Sequence, residues 1–211
     1  MTDQEHFFSQ NFVFTGEDLD DLLCLFPSEL RNHSRRVAIC CSTMAEHADR
    51  LLTMREIPFL CSFELVAYLG GLCHDIGKFV ISACNGLEEH DILHPTVGLQ
   101  LLERHRRTLF GSETQADMVM EIVHTHHERF DGTGFPCQLQ NMEIPLASGI
   151  CSIADMLDHE VDAHKGIDMD ILRKIQQLQG AAFSRTAVGC LVNAWQPLTE
   201  RYDAWNTRNC G

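Results

Sequence analysis

The stretch Ser62-Phe63-Glu64-Leu65-Val66-Ala67-Tyr68-Leu69-Gly70-Gly71-Leu72-Cys73 runs unbroken into His74-Asp75-Ile76-Gly77-Lys78. Twelve residues with so little polar surface read as a helix at the centre of a core, not an amphipathic helix at its edge. The two residues that follow change the chemistry. A neutral imidazole and a carboxylate together offer one nitrogen and up to two oxygens, a donor set that iron, manganese and zinc all accept. On a regular helix consecutive side chains splay by roughly 100°, so a helix end or distortion at His74-Asp75 is expected to make them converge.

Helical spacing continues on both sides. Apolar residues recur at helical intervals from Glu17 to Phe26 and from Glu29 to about Met54, through Val37, Cys40, Cys41, Met44, Ala48, Leu51 and Leu52, with Pro27 at the break. Beyond Lys78 a loop containing Asn85-Gly86 is expected. A helix from Ile92 to about Arg107 follows, with Pro95 in its first turn. Thr114–His127, Ile144–Val161, Met169–Gln179 and Phe183 to about Leu198 complete the set, and Asp131-Gly132-Thr133-Gly134-Phe135-Pro136 forms a turn-rich loop. Strand-like alternation is scarce and no repeat is visible, so the fold class is all-α, a single helical domain. Residues 1–28 read as an N-terminal helical extension, 29–165 as the core, and 166–211 as C-terminal helices packing on it. Phe7, Phe8, Phe12 and Phe14 suit a docking arm, an interface with a second copy in a homodimer, or a frayed end.

Sixteen Lys and Arg against thirty Asp and Glu give a formal charge of -14. Such a surface repels extended nucleic acid, while bound cations would still admit a small phosphate ligand. The ten cysteines form no Cys-x-x-Cys element and only one adjacent pair, Cys40-Cys41, so reduced thiols are expected, with Cys61, Cys73 and Cys151 acting as small core residues. The start, Met1 to His6, has neither the basic region nor the apolar stretch of a signal peptide. No uninterrupted apolar run approaches membrane-spanning length. A cytoplasmic location without a membrane partner is expected.

Further candidate ligands recur along the chain. Glu29 and His33 lie four residues apart, on one helix face; alone, such a pair is commonly a solvated surface. His94 precedes Pro95, with His90 four positions earlier as a competitor. His126-His127-Glu128 closes a helix, and two consecutive imidazoles can address two ions. Crowded histidines are costly to bury without a metal or hydrogen-bond partners. Asp155 and Asp158 are three apart, and either could be a ligand or a surface charge. There is no Walker loop, no Gly-x-Ser-x-Gly elbow and no His-Glu-x-x-His helix. The candidate set has no Cys, which argues against a structural zinc site.

Asn32-His33-Ser34-Arg35-Arg36-Val37, His74-Asp75-Ile76-Gly77-Lys78, His94-Pro95-Thr96-Val97-Gly98, His126-His127-Glu128-Arg129 with the Gly134-Phe135-Pro136 loop, and Ile144-Pro145-Leu146 followed by Ala154-Asp155 occur in an order that resembles the HD superfamily of metal-dependent phosphohydrolases. The resemblance is to its HD-GYP branch, bacterial cyclic di-GMP phosphodiesterases. It covers roughly Glu29 to Asp158, with a weaker echo at Gly180 to Phe183. It implies an HD-type helical domain with a buried centre of two or three divalent ions, commonly iron or manganese, with zinc also compatible. The implied metal ligands are His74, Asp75, His94, His126, His127 and Asp155, with His33 and Glu29 completing a third position. Asp75 and Lys78 would be catalytic, and a metal-bridging hydroxide would attack phosphorus. Lys78, Arg129, Gly134, Phe135 and Pro136 would meet the substrate.

The chain also departs from the family pattern. Phe135 replaces the signature Tyr and removes one hydroxyl. The segment between Lys78 and His94 is short, an expected Arg is Gly149, and the basic segment expected after Asp158 is His159-Glu160-Val161-Asp162-Ala163-His164-Lys165. Three readings follow: hydrolysis of cyclic di-GMP or a related nucleotide, hydrolysis of another phosphate ester, or a metal-binding signalling module with weak or no turnover that acts through a partner such as a diguanylate cyclase.

Overall fold

The computed structural model describes residues 18–48, 62–83, 92–164 and 166–209. These form nine α-helices: α1 Leu19–Cys24, α2 Ser28–Glu46, α3 Phe63–Cys73, α4 Ile76–Ala83, α5 His94–Leu109, α6 Glu113–Thr125, α7 Leu146–His164, α8 Met169–Gln177 and α9 Arg185–Asn209. Among the described residues there is no strand, only one isolated bridge between Gln179 and Phe183. The helix starts follow local chemistry. Asp18, Ser62, Ser112 and Asp168 each accept a backbone N–H of the first turn, satisfying donors that have no intrahelical partner. Pro95 occupies the first turn of α5, where its missing N–H costs nothing.

The apolar helix α3 is central, packed by α2, α6 and α7, while α9 lies across α2 and α7. Val66, Ala67, Leu72 and Cys73 of α3 meet a continuous core with Val37, Cys41, Val119, Ile122, Ile150 and Leu157. Phe63–Ala83, α3 and α4 together, is long and apolar enough to cross a membrane on length and composition, contrary to the reading of the sequence; 67% of the window is buried inside the protein.

Three boundaries differ from those expected. The segment after Lys78 is the helix α4 as far as Ala83, because Val80 and Ile81 are buried in the core. Helix α2 stops at Glu46, with the His47 N–H turning back to the Met44 carbonyl, whereas a helix to about Met54 was expected. Helix α9 continues through Pro197 to Asn209, although proline removes a backbone donor and commonly ends a helix. Tertiary anchors carry it onward: Arg201 makes two bonds to Glu46, at 2.8 and 2.9 Å, and one to Thr43 at 3.0 Å, and Tyr202 reaches Asp158. The aromatic arm, Glu17, Leu51, Leu52, Cys61, Asn85-Gly86 and His90 lie outside the described residues.

Candidate metal centre

The unbroken apolar helix of the sequence is divided at the residues that bear its chemistry. Helix α3 ends at Cys73 and α4 begins at Ile76, so His74 and Asp75 occupy a two-residue turn between them. Gly77 lets α5 come close: a Cβ there would lie 2.0 Å from the His94 carbonyl oxygen. That approach brings His94, the first residue of α5, onto Asp75. His126 and His127 follow directly on α6, His33 comes from α2, and Asp155, Asp158 and His159 come from α7.

Each of three rings is oriented from behind. Nδ1 of His74 donates to the Gly71 carbonyl at 2.8 Å, and Nδ1 of His126 to the Val123 carbonyl at 2.9 Å. His33 Nδ1 donates to Asp158 Oδ2 at 2.7 Å. A carbonyl or carboxylate only accepts, so the proton sits on Nδ1 and the Nε2 lone pair is left for a cation. Asp158 is itself fully buried, receiving Arg36 at 2.6 and 2.8 Å and the Tyr202 hydroxyl.

The Nε2 atoms of four rings converge on Asp75. Its Oδ1 lies 3.2 Å from His94 Nε2 and 3.9 Å from His126 Nε2. Its Oδ2 lies 3.4 Å from His74 Nε2, 3.6 Å from His33 Nε2 and 2.9 Å from Lys78 Nζ. Two groups of mutually close ligand atoms result, Asp75-His94-His126-His127 and His33-His74-Asp75, with Asp75 common to both. A third group is His33-Asp155-His159.

These residues fit divalent metal ions on two structural grounds. His33 Nε2 and His74 Nε2 stand 3.2 Å apart although both Nδ1 atoms are already donating, so two lone pairs face each other unless a cation or an extra proton lies between them. Ligands about 2.1 Å from a shared ion stand roughly 3 Å apart, which matches this spacing. In addition, Oδ1 of Asp75 and Oδ1 of Asp155 are buried without a hydrogen-bond partner, a costly state for an anionic oxygen.

Protonation states agree. Burial opposes ionisation of Asp75, yet His74, His94 and Lys78 hold it well below the usual carboxylate range. Asp155 is likewise held low against its burial, by His159, His33 and His74. Burial, with His127, His74 and His94 adding to it, pushes His126 well down, and burial with His94 pushes His127 down to about 4. Burial lowers His74 too, but Asp75 and Asp155 outweigh it and leave the ring well above its ordinary value. The carboxylates thus favour proton uptake by His33 and His74, and a metal ion would compete with those protons.

The structure brings together His33, His74, Asp75, His94, His126, His127 and Asp155. Glu29 does not join them. It sits in the first turn of α2, exposed to solvent and outside all three groups. His159 stands in the third group instead, one turn after Asp155 on the same face of α7. The i, i+4 spacing that singled out Glu29 and His33 holds equally for Asp155 and His159 and was the signal that could have found it.

The expected substrate residues fall in different surroundings. Lys78 borders the cluster, with 29% of its side chain exposed. Phe135 stacks on His127 with centroids 4.8 Å apart and planes at 22°. Pro136 is exposed beside it. Gly134 is buried, and a Cβ there would meet the Arg129 nitrogen and Glu128 Cα, so the absent side chain lets the loop fold back on the residues that follow α6. Arg129 is held within its own loop by Thr133 at 2.9 Å and Asp131 at 3.2 Å. Glu128 serves the same loop, accepting the Cys137 and Leu139 N–H groups at 2.6 and 3.0 Å. The echo at Gly180–Phe183 supports the loop from below, its Ala181 and Ala182 carbonyls accepting Asp131 and Phe130 N–H. Position 149 faces α9, where a Cβ would meet that of Ala187 at 3.3 Å.

Comparison with known proteins agrees with this geometry. The family model for the HD domain matches residues 30–160. A cyclic di-GMP phosphodiesterase of Thermotoga maritima is 28% identical over 94% of this chain and 54% of its own length. A cyclic di-GMP phosphodiesterase of Vibrio cholerae is 36% identical over 46% of this chain and 21% of its own. A 3'3'-cGAMP-specific phosphodiesterase 2 from the same organism is 27% identical over 77% of this chain and 31% of its own. This chain thus spans about half or less of the length of these relatives. With the motifs in family order and their histidines and aspartates gathered on one buried cluster, the chain belongs to the HD domain family, in its HD-GYP branch.

Proposed function

We propose that this protein is a metal-dependent phosphodiesterase that opens a cyclic dinucleotide, either cyclic di-GMP or a cGAMP-type relative. The observation that carries the reading is Asp75, a buried carboxylate whose two oxygens face two separate sets of imidazoles. When bound, two or three divalent ions, iron or manganese in first place and zinc next, would polarise the phosphodiester and activate water. The chain's part is to hold those charges. Asp75 ties the two sets together, and the Nδ1 anchors of His33, His74 and His126 fix ring orientation before any ligand arrives. Lys78 places a cation at the partly exposed edge, where it would meet a nonbridging phosphate oxygen. Phe135 keeps an aromatic ring against His127 without a hydroxyl.

A second reading, hydrolysis of a smaller phosphate ester, is favoured by the fate of two arginines. Arg36 is committed to Asp158 and Arg129 to its own loop, and the segment after Asp158 contributes no arginine. Each missing contact between a cation and phosphate forgoes about 1.5–3 kcal/mol, roughly one to two decades of affinity. A panel of cyclic di-GMP, 3'3'-cGAMP, bis(p-nitrophenyl) phosphate and p-nitrophenyl phosphate, assayed with the metal-loaded protein, separates the two. Turnover of a cyclic dinucleotide at the higher kcat/KM supports the first reading; turnover of the small esters alone replaces it with the second. No turnover of any of them favours a signalling module that binds metal without hydrolysis.

A further inference from the structure

His159 has no place in the ligand set implied by the motifs, yet it lies at the open edge of the cluster. Its Nε2 is 3.3 Å from Asp155 Oδ1, and that oxygen is 3.2 Å from His33 Nε2. The His33 and His159 rings face each other with centroids 4.9 Å apart and planes at 32°. Three ligand atoms, one from each residue, fall within 4.8 Å of one another. Asp155 Oδ1, the corner shared by both short distances, is one of the two buried carboxylate oxygens left without a hydrogen bond among the described residues.

Building on the metal-dependent reading, we infer that His33, Asp155 and His159 form an outer divalent-cation position, in which His159 takes the ligand role that the family pattern gives to Glu29. The helix register explains the exchange: α7 carries Asp155 and His159 one turn apart on one face, whereas Glu29 lies in the exposed first turn of α2. His33 has only Nε2 to offer, since Nδ1 is bonded to Asp158. An ion in the outer position therefore draws His33 away from the inner group. His74, Asp75 and Asp155 remain for the inner ion, with His74 Nε2 3.6 Å from Asp155 Oδ1.

Two properties follow. Two imidazoles and one carboxylate are a more nitrogen-rich set than one in which Glu29 stands in place of His159, so the outer position favours iron, zinc or cobalt over manganese or magnesium. It is also exchangeable, because 61% of the His159 side chain is exposed while those of His74 and Asp75 are at most 2% exposed.

The test is metal stoichiometry, measured by elemental analysis after desalting on the wild-type chain, His159→Ala and Glu29→Ala loaded with cobalt(II), with the visible absorption of cobalt followed during chelator titration. Both substituted residues are exposed, so both variants should fold, and circular dichroism checks this. Wild type and Glu29→Ala should hold one more ion than His159→Ala, and that ion should be the first removed by chelator, with its own absorption change. Equal stoichiometry and chelator profiles in wild type and His159→Ala would overturn the outer position, as would loss of the ion in Glu29→Ala. The readout is independent of turnover: an inactive wild type with the extra His159-dependent ion would refute the phosphodiesterase reading and leave this site standing.

Discussion

Replacing Asp158 with Asn should damage both stability and metal binding, through a residue that is not itself in any ligand group. The Asp158 side chain is fully buried and accepts His33 Nδ1, two bonds from Arg36 and the Tyr202 hydroxyl. An amide keeps the shape but replaces one acceptor oxygen with a donor, which must then face another donor. It also leaves Arg36, with only 13% of its side chain exposed, without its buried counter-charge. Breaking a buried pair by removing one partner costs about 3–5 kcal/mol. Asp162 at 3.3 Å and the Trp205 ring at 5.3 Å still engage the guanidinium, so the lower end, about 3 kcal/mol, is expected. In a chain of this size that corresponds to a fall in Tm of roughly 6–12 °C. Losing the group that orients a metal-binding imidazole typically costs 10–100-fold in affinity. Urea unfolding of the metal-free protein and chelator competition on the loaded protein read the two effects. Tyr202→Phe is the graded control, removing one hydrogen bond worth about 1 kcal/mol while leaving the His33 anchor. The reasoning fails if Asp158→Asn lies within about 0.5 kcal/mol of wild type and binds metal as tightly.

Gly77→Ala would place a methyl 2.0 Å from the His94 carbonyl oxygen and 2.9 Å from the Gly98 nitrogen; backbone on both sides must move, so about 1–3 kcal/mol should be lost together with metal occupancy at His94, and unchanged melting with full occupancy would contradict the proposed close crossing. In the metal-free protein, a nitrogen-15 NMR titration should find His127 neutral until about pH 4, whereas a midpoint near 6.5 would remove the burial argument. The sign follows from the lowered value: between pH 6.5 and 4 the unfolded chain takes up a proton that folded His127 refuses, so its contribution favours folding above that window and is lost as pH falls through it. Lys78→Ala should lower kcat/KM by roughly 10–100-fold, the worth of a charged contact, with metal content intact in elemental analysis; loss of the ions would instead assign Lys78 to holding Asp75 in place.

Much of this site was legible because metal-ligating residues fall at helix ends that periodicity locates. His74-Asp75 closes an apolar run, His94 precedes a first-turn proline, and His126-His127 ends an amphipathic stretch, so their convergence needed only helices packed around α3. Two features were hidden because they depend on distant partners. Whether Glu29 or His159 faces the cluster depends on the rotation of α2 and α7, and spacing within either helix is the same, four residues. The course of α9 past Pro197 is set by Glu46, Thr43 and Asp158, residues 40 or more positions away in sequence, so local propensity pointed to an early end. Similarly, the sequence assigns His126 and His127 to metal but gives Glu128 no role, and only the folded loop shows it turned to the backbone of Cys137 and Leu139.

The central claim is that Asp75 and its two sets of imidazoles make this chain a metal-dependent phosphodiesterase. Its most direct test is the chromatographic product profile of cyclic di-GMP and 3'3'-cGAMP incubated anaerobically with the protein stripped of metal, with the same protein reloaded with ferrous or manganous ion, and with reloaded Asp75→Ala. Linear dinucleotide or mononucleotide from the reloaded wild type alone is the predicted result. Intact substrate in all three, or equal product from stripped and reloaded protein, would contradict it.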